Sequence, residues 1–144
     1  MPKALSHGAD VAALFVVVRT VVEVLARNGR PLREPVRAGF DLLERWVGGE
    51  GVETSALLRA QGLVHENEVP LAEREPDRAL SWANTAIGNL LWMAQKTRGW
   101  KGAHPGIMDA CAHALSSLGV PGLPDAAALE ELRAHAADAL AKRA

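Results

Sequence analysis

Asp109 and His113 stand four residues apart, which on a helix sets a carboxylate and an imidazole on one side, with His104 about a turn before them. Two histidines and a carboxylate form a metal-ligand set. No HExxH motif accompanies them, and Glu130, Glu131 and His135 have no second histidine in register. The spacing is therefore read as ordinary side-chain pairing along a helix, and neither a metal nor a cofactor is expected. Cys111 is the only cysteine, which excludes an internal disulfide and any Cys-pair zinc motif. No base is set beside it by sequence, so it reads as a small buried hydrophobe. Glycine-rich phosphate loops of the Walker or Rossmann type are absent, as is a nucleophile elbow.

The run KTRGWKGAH gathers Lys96, Arg98, Trp100 and Lys101 ahead of His104. Cations around an indole near a helix start can hold a phosphate or stack a base, which makes these four residues an anion-binding candidate. The same cations also complement the negative C-terminal end of a preceding helix. Arg98-x5-His104 resembles the Rx4–6H signature of the HEPN superfamily over seven residues. The resemblance implies a small helical, dimer-forming, metal-independent ribonuclease or toxin-system component. In it, Arg98 would hold the scissile phosphate and His104 would act as acid or base near neutral pH. Arg59 and His65 repeat the spacing, and Gly99 stands where that family commonly has a polar residue.

Helices must position these groups. A chain of 144 residues has the length of one domain, long enough to bury a core without disulfide or metal staples. Between 10 and 27, Arg19, Glu23 and Arg27 recur at i, i+4, i+8 on one polar stripe, and the rest is Val, Leu, Phe and Ala. That pattern predicts a helix buried on most sides and closed by Asn28-Gly29. The apolar run 11–18 is far short of a membrane span. A second helix follows Pro35, with Val36, Phe40, Leu43 and Val47 as its stripe, and ends at the glycines of 48–51. A short third helix starts at Thr54 or Ser55 and stops near Gly62. The segment 64–76, with four glutamates and two prolines in HENEVPLAEREP, reads as a solvated loop. Further helices are expected over 77–96, from Pro105 to about Leu118, and after an Asp125 cap. The expectation is an all-α, single-domain bundle over 1–144 of about six helices, with 10–27 and 77–96 central.

Helix 77–96 carries the main functional lead. One half is apolar throughout, with Leu80, Ala83, Ile87, Leu90 and Leu91 among its members. The other half bears no charge before Lys96 and consists of Ser81, Asn84, Thr85, Gly88, Asn89, Trp92 and Gln95. Protein interfaces are depleted in Lys and Glu and enriched in Trp. Trp92, Asn84, Thr85, Gly88, Asn89 and Gln95 are therefore candidate partner-binding residues, unless the rest of the chain wraps the helix. The acidic Glu66, Glu68, Glu73 and Glu75 add a patch that would steer a basic partner. A net charge of −1 lacks the attraction that marks many nucleic-acid binders, so nucleic acid is not favoured as a partner. The resulting expectation is a non-catalytic, cytoplasmic module that covers a partner protein, with no membrane partner, of the kind represented by bacterial immunity proteins, antitoxins and effector adaptors. A HEPN-like ribonuclease using Arg98 and His104 is the alternative, and a structural subunit self-associating through Trp92 is a second.

Overall fold

In the computed structural model, which describes residues 6–74, 78–95 and 103–143, the chain is a helical bundle with no strand among those residues. The helices are α1 (His7–Arg27), α2 (Val36–Val47), α3 (Thr54–Arg74), α4 (Arg78–Ala94), α5 (Ala103–Ser116) and α6 (Ala126–Arg143).

Local chemistry sets most of the ends. The Ser6 hydroxyl accepts from the Ala9 N–H at 3.2 Å, so α1 begins three residues ahead of the expected Asp10. Gly29, at φ +75°, lets the chain turn back, and two bonds close the helix: Gly29 N–H to the Ala26 carbonyl at 3.1 Å and Arg30 N–H to the Leu25 carbonyl at 2.8 Å. Asp125 caps α6 as expected, its Oδ1 accepting from the Ala128 N–H at 2.9 Å.

Helices α1 and α4 are central. Helix α4 packs against α1, α2, α3 and α5, and α1 packs against α2, α4, α5 and α6. Val11, Leu14, Val18, Val21 and Leu25 of α1 meet Ile87, Leu90, Leu91 and Met93 of α4 in one buried cluster, joined by Leu43, Leu57, Ile107, Leu115 and Leu129 from the other helices. The charged stripe Arg19, Glu23 and Arg27 is exposed, as are Gly8 near the start of α1 and Ala26 near its end. Phe15 and Phe40 stack at 5.3 Å between ring centroids and tie α2 to α1.

Helix α3 corrects the sequence reading. It runs on through Gly62 and Pro70 over the segment expected to be a loop, so Glu66, Glu68 and Glu73 lie on a helix. Its start at Thr54 is where the sequence placed it. The physical reason for the longer run is the make-up of its inner stripe. Leu57 and Val64 are fully buried, but Gln61 and Asn67, which continue the same face, are polar. The hydrophobic period therefore fades at Val64, although the helix continues to Arg74.

The α2–α3–α4 junction is tight. A methyl group added at Gly39 of α2 would lie 3.1 Å from Val64 Cγ2 and 3.2 Å from Leu91 Cδ1. One added at Gly88 of α4 would lie 3.3 Å from Val64 Cγ1. Val64 is thus a wedge seated between two glycines, and both neighbouring helices approach α3 closely there.

Candidate functional site

Part of the uncharged face of α4 is covered by α3 of the same chain. Asn84 is 1% exposed, donates through Nδ2 to the Val64 carbonyl at 3.3 Å and accepts at Oδ1 from Asn67 Nδ2 at 3.2 Å. Gln95 Nε2 donates to Gln61 Oε1 at 2.8 Å and to the Leu91 carbonyl at 3.2 Å. With Gly88 against Val64, these residues form one stripe that seats α3 antiparallel on α4. Ser81, Thr85, Asn89 and Trp92 lie further round the helix and are half-buried. The Thr85 hydroxyl donates back to the Ser81 carbonyl at 3.2 Å. Trp82, on the apolar half of the helix by its sequence position, is 37% exposed and stacks on His113 of α5 at 4.6 Å. Of the acidic residues, Glu66 is exposed on α3, while Glu75 lies outside the described residues.

An open groove lies elsewhere, between α2 and α3. It measures about 400 Å³ and is lined by Pro35, Ala38, Gly39 and Leu42 on one side and Ala56, Ala60 and Leu63 on the other. Asp41, Arg45 and Arg59 complete the lining, and all three are exposed, so the polar groups form a rim around an apolar floor. Leu63 is 46% exposed. Asp41 is engaged by Arg37 at 3.2 Å and Arg45 by Glu50 at 3.6 Å. Arg59 has no ion pair among the described residues. The sequence reading passed over this groove, yet its signal was there. Ala56, Ala60 and Leu63 recur at i, i+4, i+7, and Pro35, Ala38 and Leu42 lie off the core stripe of α2, which gives both helices a second apolar edge.

The residues singled out for chemistry are held in ordinary roles where they are described. His104 Nε2 lies 3.8 Å from Glu130 Oε2, and Glu130 is gripped by Arg133, whose Nε donates to Oε1 at 2.8 Å. The hydrogen bond from Arg133 holds the Glu130 carboxyl below its ordinary value, with a smaller contribution from His104. His113 is a ring partner for Trp82, not a ligand beside Asp109, and no group of metal-ligating side chains occurs among the described residues. Cys111 is fully buried, and burial pushes its thiol up to about 12. His7 ties the start of α1 to the end of α4, donating through Nε2 to the Met93 carbonyl at 2.7 Å with its ring edge-on to Trp46. Lys96, Arg98, Trp100 and Lys101 lie outside the described residues, and with them the Arg98–His104 pairing. Among the described residues, no helix is long and apolar enough to cross a membrane.

Comparison with protein-family models, characterised proteins and solved structures finds no match for this chain.

Proposed function

We propose that the chain is a non-catalytic helical module that binds a partner protein, and that the groove between α2 and α3 receives the partner. The observation that supports this reading is the groove itself, an apolar floor of small residues walled by Leu42 and Leu63 and ringed by charged side chains. That arrangement, an apolar centre inside a polar rim, is the anatomy of a protein interface. The uncharged face of α4 supports a narrower role than its composition suggested, since Asn84, Gly88 and Gln95 serve α3. Immunity proteins, antitoxins and effector adaptors all fit a module of this kind, and the identity of the recovered partner separates them.

The test is quantitative co-purification from the native cell with three exposed or half-exposed positions changed singly. Ala60→Glu fills the groove and is expected to abolish recovery of a stoichiometric partner while circular dichroism stays unchanged. Leu58→Asp alters an apolar side chain that is 59% exposed on the far side of α3, and should leave recovery intact. Equal recovery by wild type and Ala60→Glu rejects the groove. Loss through Trp92→Asp alone would move the contact to α4.

A further inference from the structure

We infer that the groove between α2 and α3 takes an amphipathic helix whose acidic end meets Arg59. This rests on the reading of the groove as a docking site and adds the chemistry of what docks. The two walls run antiparallel, since α2 and α3 are joined by the short connection 48–53 and Gly39 packs on Val64. The apolar positions of α3 extend from Ala56 to Leu63, about 10 Å at 1.5 Å per residue, or two helical turns. A helix laid along such a groove offers apolar anchors at i, i+3, i+4 and i+7 to match. The floor residues Ala38, Gly39, Ala56 and Ala60 are short enough for a neighbouring backbone to come close. An extended peptide is disfavoured, because the described residues include no strand and so no sheet edge on which it could pair.

Charge sets the orientation. Three ionised side chains line the groove, and two of them are already neutralised within the chain: Asp41 by Arg37 and Arg45 by Glu50. Arg59 is left as an exposed cation at the rim, one turn of α3 before Leu63. A carboxylate from the partner would meet this guanidinium without displacing any internal pair, whereas a partner cation there would face uncompensated repulsion.

The experiment titrates the isotope-labelled full chain with two helix-stapled peptides of about four turns. They share a leucine- and alanine-rich face, and one carries Glu at both ends where the other carries Lys, so that either direction of docking is sampled. The acidic peptide is expected to shift the amides of Ala38, Leu42, Ala60 and Leu63 and to bind at least about tenfold more tightly than the basic one, roughly 1.4 kcal/mol. Arg59→Glu should reverse that order while leaving the free chain's helicity unchanged. If both peptides shift the groove amides with equal affinity, or the basic one binds better, the acidic-helix inference is overturned and the docking reading survives. If neither shifts those amides, both fall together.

Discussion

Val64 and the two glycines beside it show how much a single methyl group decides. At Gly39 an added carbon would press on Val64 and Leu91 from α3 and α4 at once, at 3.1 and 3.2 Å. Alanine would gain about 1 kcal/mol of helix propensity there, but overpacking of this kind costs typically 1–3 kcal/mol. Gly39→Ala is therefore expected to lower stability by about 1 kcal/mol in urea unfolding, with Gly88→Ala, which meets only Val64 at 3.3 Å, closer to neutral. A Gly39→Ala variant as stable as the wild type would show that the junction is looser than it looks. At this scale the sequence was readable for burial and less so for contact. Cys111 is the buried hydrophobe that its isolation suggested. Asn84 and Gln95, by contrast, present the same composition whether a foreign protein or the chain's own α3 covers them, because amide side chains satisfy either neighbour equally well.

Helix boundaries were legible at Asn28-Gly29 for α1 and at Asp125 for α6, whereas the Ser6 cap that starts α1 was not. Helix α3 was not, because its continuation past Gly62 depends on what α4 offers across the interface. A proline inside a helix withholds one i→i−4 hydrogen bond and crowds the preceding turn, so Pro70 makes the second half of α3 weaker than its packing alone would. Replacing it restores that bond, toward the Glu66 carbonyl. Pro70→Ala is expected to raise the urea midpoint, by about 1–3 kcal/mol in unfolding free energy, and to increase the helical signal slightly. A lower midpoint would mean that the proline fits a bend that the fold requires. The groove was equally hidden at this scale: each helix alone shows merely a second row of small residues, and a cleft exists only once α2 and α3 lie side by side.

Across the whole bundle, the all-α class and the central pairing of α1 with α4 were legible from hydrophobic period alone, since long helices that are apolar around most of their surface have to be covered on several sides. The groove proposed as the docking site was not, because a cleft is a relation between two helices and shows in neither alone. The outer helix α6 is fastened by Leu129 to the core and by Glu130, between His104 and Arg133, to the start of α5. Hydrogen bonding from Arg133 lowers the carboxyl pKa of Glu130 in the folded state, so its contribution is present above the unfolded value and is lost as pH falls through the folded one. The stability gap between wild type and Glu130→Gln is therefore expected to narrow from pH 7 down to pH 3 in urea unfolding, and a gap that stays constant would exclude the linkage. The amide pairs between α3 and α4 carry a different consequence, one for ancestry. Asn67 with Asn84, and Gln61 with Gln95, each leave a stranded partner if one member changes alone, and Asn84 is too deeply buried for water to take its place. Lineages descending from this chain should therefore drift at these positions by paired steps, with each amide preserved or exchanged together with the residue that answers it.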